Sequence, residues 1–425
     1  MKRFPRTTLV ATVAGAATFA LVLSGCSAGS GSEQSADGKV KLTVATFNEF
    51  GYDDLFAEYE AANPNVTITH KKAATSNEAR DNLTTRLAAG SGLSDVEAIE
   101  VDWLPELLEY SDEFADLSSA DVSDRWLDWK SEAATDADGR LIAYGTDIGP
   151  EGVCYRSDLF AAAGLPTDRD EVATLLGDSW DSYYAAGETF TAAGGNVPWF
   201  DSAGATWQGI VNQIPNAYEK SDGTVIATEN PEVKEAYTSV LAASETLSAH
   251  LSQWSDDWTA SFQNDGFATM LCPGWMLGVI SGNAEGVAGW DIADTFPGGG
   301  GNWGGSYLTV PNQSEHQAEA TTLAAWLTAP EQQLKAFASK GTFPSQVDAL
   351  ASDELLGATN EFFNNAPTGQ ILANRAAAVD VTPFKGINYF PINDAMQQAL
   401  TRVEDGTMNA DESWDQWVTD VKALG

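Results

Sequence analysis

Between residues 40 and 109 the chain alternates three times between a short β-rich run and a stretch with helical spacing. Residues 40–46 (VKLTVAT) alternate apolar and polar side chains, as a strand with one buried face does. Leu55, Phe56 and Tyr59 then recur at helical spacing over residues 52–63, and Pro64 ends the run. Residues 66–70 (VTITH) are β-rich again. Thr75-Ser76-Asn77-Glu78 has a capping-box pattern; it opens a helix that carries Leu83 and Leu87 and stops at Gly90. A third strand is predicted over 96–100 and a helix near 104–109. Strands joined through helices of this length run parallel. The segment therefore predicts βαβ units on one parallel sheet, with any ligand at the carboxyl edge of its strands.

Two further strand-like runs, 141–146 and 151–156, flank Gly149-Pro150, a candidate crossing between lobes. Helical patterns follow at 157–163, 180–193, 231–249 and 256–264, then a short apolar strand at 267–272. A glycine-rich stretch, 297–305, leads into a strand at 306–310, and helices are predicted at 317–328, 330–339, near 393–401 and at 411–424. A length of 425 residues suits two or three domains. No Pro/Ser-rich linker separates them, which predicts lobes that exchange segments.

Composition narrows the partners. The 61 acidic side chains outnumber 22 basic ones, for a formal charge of −39. Such a surface repels phosphate backbones and anionic headgroups, which excludes nucleic acid as a ligand. Its simplest meaning is a well-solvated, salt-tolerant exterior. Lys2, Arg3 and Arg6 precede an uncharged run over residues 9–23. That run is shorter than the ~20 residues of a membrane-spanning helix and matches a signal-peptide core. Leu23-Ser24-Gly25-Cys26 follows it and resembles the lipobox of bacterial lipoproteins, in which the cysteine is diacylated and becomes the N-terminus. An ordinary signal peptide with an incidental cysteine is the other reading. The expectation is a signal peptide over 1–25 and a Ser/Gly-rich flexible tether over 26–38. Besides Cys26 the chain has only Cys154 and Cys272. With Cys26 lipidated, an oxidising compartment leaves one pair, so a Cys154–Cys272 disulfide is expected, with two buried thiols as the alternative.

Catalytic templates mostly fail. Gly25-Cys26-Ser27-Ala28-Gly29 has nucleophile-elbow spacing but lacks a strand–turn–helix context. Gly299, Gly301 and Gly304 have G-x-G-x-x-G spacing but precede a predicted strand instead of a helix. His70, His250 and His316 are isolated, so no metal site and no catalytic residue is assigned, and no cofactor is implied. A pair of carboxylates flanking a glycosidic bond stays conceivable, although no pair stands out. Fourteen tryptophans are more informative. Sugar rings present C–H faces to indoles, and their hydroxyls pair with carboxylates and amides. Trp103 beside Asp102, Trp199-Phe200-Asp201, Trp207-Gln208 around a Gly/Ala/Ser turn, Trp275 and Trp303 have that composition. For these, ligand contact and core packing both remain open. Trp126, Trp129, Trp180, Trp326, Trp414 and Trp417 lie on predicted helical faces, where core packing is expected.

The order of several motifs is familiar. Ala45-Thr46-Phe47-Asn48-Glu49-Phe50-Gly51-Tyr52, Gly164-Leu165-Pro166 before Trp180-Asp181, Cys272-Pro273-Gly274-Trp275-Met276 and Gly301-Asn302-Trp303-Gly304-Gly305-Ser306 stand behind the lipobox. Together they resemble actinobacterial sugar-binding lipoproteins of ABC importers. These are family 1 extracellular solute-binding proteins, which include maltose-binding proteins, and the nearest likeness is to cellobiose and cello-oligosaccharide receptors. The resemblance spans residues 26–425. It implies an α/β fold of the type II periplasmic-binding-protein kind, with two lobes joined by crossing hinge segments and the ligand in the cleft between them. Lobe 1 would be 39–147 and 306–342, and lobe 2 would be 148–305 and 343–425. By position, Asn48 and Glu49 fall where the first strand meets the sugar, and Asp102 and Trp103 in the loop after the third strand. Asp147 falls at the first crossing, Trp275 at a stacking position in the second lobe, and Trp303, Gly305 and Ser306 at the second crossing. Trp199, Asp201 and Trp207 lie in loops that vary, and Arg375 and Tyr389 in a C-terminal quarter that does not align residue by residue. The resemblance implies a monomer held at the outer face of the cytoplasmic membrane by its lipid anchor alone. It would deliver a carbohydrate ligand to ABC permease subunits served by a separate ATPase. A secreted glycoside hydrolase and a receptor for a peptide or other solute are the alternatives.

Overall fold

The computed structural model describes residues 38–424 apart from Asp178 and Gly195. The signal segment, Cys26 and all of the tether but Gly38 lie outside the described residues. In chain order the strands are β1 (Val40–Phe47), β2 (Val66–Ala73), β3 (Val96–Glu100), β4 (Ala143–Gly145) and β5 (Asp147–Ile148), then β6 (Glu151–Arg156), β7 (Thr269–Pro273), β8 (Trp290–Ala293), β9 (Ser306–Thr309) and β10 (Phe343–Pro344).

The first sheet has the order β2-β1-β3-β9-β4. As the alternation predicts, β1 is parallel to β2 and to β3. Leu42 and Val44 of β1 are fully buried, and the helix Asp53–Ala62 covers the sheet with Leu55, Phe56 and Tyr59. The helix Ser76–Ala89 starts at Thr75, whose hydroxyl accepts from the Glu78 N–H at 3.2 Å. Glu78 reaches back to the Ala74 N–H at 2.9 Å, and Gly90 closes the helix at φ 67°. One departure from an all-parallel sheet is β9, antiparallel to both β3 and β4. It arrives from a distant part of the chain, so no crossover helix fixes its direction.

The second sheet, β7-β6-β8, is antiparallel throughout. Its strand β8 has no counterpart among the predicted elements: four buried residues are too few to show a period. Cys154 of β6 and Cys272 of β7 are disulfide-bonded, with Cα atoms 5.4 Å apart, as the cysteine count leads one to expect. The supposed turn between Trp199 and Trp207 is instead the start of the helix Ala203–Val211, capped by the Ser202 hydroxyl. Ala203, Ala205, Thr206, Trp207, Gln208, Gly209 and Val211 are all buried, and a helix buried on most of its surface leaves no amphipathic stripe to read. The six tryptophans predicted on helical faces pack into apolar clusters as expected, but Trp126 sits in an isolated bridge with Gln346, just before the helix Asp128–Ala133, and not in a helix.

The chain passes between the sheets where β5 pairs antiparallel with β10 and where residues 149–150 meet 302–303. Trp303 N–H donates to the Gly149 carbonyl at 2.8 Å, and Thr146 N–H to the Ser306 carbonyl at 2.9 Å. Gly149 is required for this approach, because a Cβ there would overlap the Trp303 carbonyl. Among the described residues no helix is long and apolar enough to cross a membrane.

Candidate functional site

A cleft of about 430 Å³ lies at the carboxyl ends of β1 and β3. One wall is built from residues 47–50 at the end of β1, Glu100 and Asp102 at the end of β3, and Thr75, Ser76 and Asn77 at a helix start. The facing wall comes from the helix Ala203–Val211, the loop 252–254 and the helix Tyr389–Glu404. Asp147 and residues 303–306 of the crossing segments supply the floor. This is where the carboxyl-edge rule for parallel strands puts a ligand.

Asn48, Glu49, Asp102, Asp147, Trp275, Trp303, Gly305 and Ser306 all line this cleft. Asn48 adopts φ 47°, and its side-chain oxygen is buried without a hydrogen-bond partner. A buried acceptor of this kind is costly unless something donates to it. Asp147 accepts from Thr146 Oγ1 at 2.8 Å and from the Ser306 N–H at 3.0 Å. Gly305, at φ 105°, lets the floor pass close to the Asp147 carbonyl and the Lys130 ammonium. Trp275 Nε1 donates to the Trp303 carbonyl at 2.9 Å, and the two rings meet edge to face with centroids 5.5 Å apart.

Trp103, Trp199, Asp201 and Trp207 are not among the lining residues. In the turn between β3 and the helix Leu104–Leu108, Asp102 lines the cleft while Trp103 is fully buried and donates to Ser76 Oγ at 2.9 Å. Trp199 packs between Phe160, Phe190 and Tyr183. Trp207 is buried in its helix and donates to the Tyr218 hydroxyl at 3.1 Å. Asp201 is buried under the cleft wall, where its carboxylate accepts from Gln253 Nε2 at 2.8 Å and Trp258 Nε1 at 3.0 Å. Burial raises its pKa to about 6. Of the C-terminal pair, Arg375 bonds Asp294 at 2.6 Å and Tyr389 is buried against Tyr218.

The acids of the cleft are not equivalent. Burial, with the Asp102 charge nearby, pushes the Glu100 carboxyl well above its ordinary range. Burial also raises Asp147, and Lys130 partly offsets it. Glu49 is partly buried, yet Lys72 at 2.6 Å and Lys340 at 3.5 Å hold it below the ordinary value. Asp102 is paired with Lys385. Behind the floor, burial lowers the Lys130 ammonium to about 7, and it sits 3.8 Å from the Tyr307 ring centroid. Carboxyl and amide groups beside indole faces can accept from and donate to hydroxyls while apolar C–H faces stack. Among the described residues no cluster of three or more metal-ligating side chains occurs.

Sequence reasoning missed Glu100, Trp254 and the polar stripe Asn393, Asp394, Gln397, Thr401 and Glu404, while of the pair Trp207-Gln208 it is Gln208 that lines the cleft. The stripe carries a usable signal: its spacing follows one face of a predicted helix, beside an apolar face on which Ile392, Met396 and Leu400 are buried.

The chain matches the family model for bacterial extracellular solute-binding proteins over residues 54–364 and belongs to that family. A crystal structure of an extracellular solute-binding protein of family 1 is 52% identical; the match covers 90% of this chain and 99% of that one, at a TM-score of 0.79. The fold is thus the two-lobed α/β fold of periplasmic binding proteins. An arabinooligosaccharide-binding protein of Bacillus subtilis (strain 168) is 27% identical over 357 residues, 79% of each chain. The ABC transporter associated binding protein of B. animalis subsp. lactis Bl-04, in complex with β-1,6-galactobiose, superposes at a TM-score of 0.78 with 21% identity, over 91% of this chain and 97% of that one.

Proposed function

We propose that this chain is the substrate-binding lipoprotein of an ABC importer, acting outside the cytoplasm on a di- or oligosaccharide and performing no catalysis itself. The observation that carries the reading is the cleft, where Trp275 and Trp303 stand with Asn48, whose buried carbonyl oxygen lacks a donor, and with Asp147. Sugar hydroxyls and C–H faces satisfy both kinds of group. The arabinooligosaccharide receptor among its relatives supports the ligand class. The division into 39–147 with 306–342 and 148–305 with 343–425 is supported by the crossings at β5, β10 and residues 302–306. Hinge closure about these crossings would bury the sugar and present the closed shape to the permease, provided that the sugar binds the closed form more tightly.

Melting curves and calorimetry against cello-, arabino- and galacto-oligosaccharides, maltose, monosaccharides and short peptides test the reading. The expected result is stoichiometric binding and a raised melting temperature with one oligosaccharide series and no release of reducing ends. Binding of peptides alone, or turnover of the sugar, would overturn it.

The anchor belongs to the same proposal. Two acyl chains on Cys26 would hold the receptor at the membrane, whereas one gives only marginal attachment. A polar tether keeps its local concentration high beside the permease. Cys26→Ser is expected to abolish metabolic labelling with palmitate while leaving sugar binding intact. Undiminished labelling would show that the lipid is not on this cysteine.

A further inference from the structure

The geometry points to Trp254 as a second stacking face, an outer subsite that makes the cleft favour longer oligosaccharides over single sugars; this rests on the carbohydrate reading above. Trp254 lines the cleft yet is 36% exposed, one of few large apolar side chains left so open among the described residues. Its backbone is at φ 70°. For a bulky residue this left-handed conformation is unfavourable and persists only where the surroundings enforce it.

The enforcing contacts are visible. Gln253 and Trp258 on either side both donate to one carboxylate oxygen of Asp201, at 2.8 and 3.0 Å. The Leu251 N–H donates to the Asp201 carbonyl at 2.9 Å. The loop is thereby pinned from beneath while the Trp254 ring stays on the cleft side. The ring rests against the buried Trp258, with centroids 5.2 Å apart, yet the positive-φ backbone leaves it at the surface of the groove and not in the core.

Orientation supplies the second observation. The rings of Trp254 and Trp275 are within 23° of parallel, with centroids 6.1 Å apart. Near-parallel indoles at that separation are laterally offset. They form a stepped platform of two indole faces, Trp275 inside and Trp254 at the rim. A monosaccharide held by the inner step leaves the outer one unused, whereas the next units of an oligosaccharide pass over it.

Calorimetry with the full chain, using increasing lengths of the oligosaccharide series that stabilises the wild type, tests this. Trp254→Ala is expected to weaken the longest ligand by about tenfold or more and the shortest by less than about twofold. Trp254→Gly removes the same ring while relieving the positive φ, so it should show the same length dependence with a melting temperature no lower than that of Trp254→Ala. A loss equal at all lengths, or none at any length, in either variant overturns the outer subsite. If the wild type binds no sugar in the series, the carbohydrate reading falls and this one with it.

Discussion

Trp275→Ala is expected to weaken binding of the cognate oligosaccharide by about 2 kcal/mol or more, roughly thirtyfold in Kd, at every chain length. Trp275 follows β7, whose register with β6 is fixed by five paired residues from Glu151↔Pro273 to Tyr155↔Thr269. The ring is therefore delivered from a rigid element, and its Nε1 bond to the Trp303 carbonyl fixes its orientation. An indole so held loses little conformational freedom on binding, which lets it act as an anchor. Truncation also leaves the Trp303 carbonyl without this donor, so part of the loss would come from loosening of the floor. Trp275→Phe separates the two contributions: it keeps an aromatic face and loses the hydrogen bond. Partial recovery with Phe assigns the larger share to stacking. An unchanged calorimetric Kd in Trp275→Ala would remove Trp275 from the site.

The contrast between Trp275 and Trp207 shows how far the sequence speaks. Both are tryptophans with small or polar neighbours, and sequence gives them the same composition of surroundings. Trp275 stands after a strand, at the edge where parallel and crossing segments converge, and it lines the cleft. Trp207 stands within a helix that is buried on most of its surface and shows no amphipathic stripe, so its sequence resembles a loop. The βαβ part of the chain was readable because each of its strands is followed by an amphipathic or capped helix. The second half was harder to place because β8 is too short for a period and because β9 joins a sheet formed far earlier in the chain. Site residues adjacent to strand ends and crossings were legible for the same reason. Those on the helix Tyr389–Glu404 depend on long-range packing that brings a C-terminal helix over the first sheet's edge.

Loss of the Cys154–Cys272 bond is the second large effect expected. The bond closes a sequence separation of 118 residues. In the chain-entropy model a loop of that size stabilises the native state by ~4–5 kcal/mol, and measured losses for native disulfides are about 2–5 kcal/mol. Both cysteines are fully buried, in one apolar cluster with Trp258, Phe262 and Trp290. Cys154→Ala with Cys272→Ala therefore leaves an apolar site that stays dry, with a small packing loss added. The melting temperature should fall by roughly 2–6 °C. Reductant should lower the wild type to nearly the same temperature and leave the double variant unaffected, because only the wild type has a bond to lose. Binding measured well below the transition should change little, since β6 and β7 remain paired along their length. Thiol titration of the unfolded, non-reduced protein gives the independent check: a bonded pair leaves both cysteines silent. Two titratable thiols from Cys154 and Cys272 in protein made under oxidising conditions would rule the bond out. Equal melting temperatures with and without reductant, once titration shows both thiols released, would mean that the strand pairing and the apolar cluster hold this sheet without it.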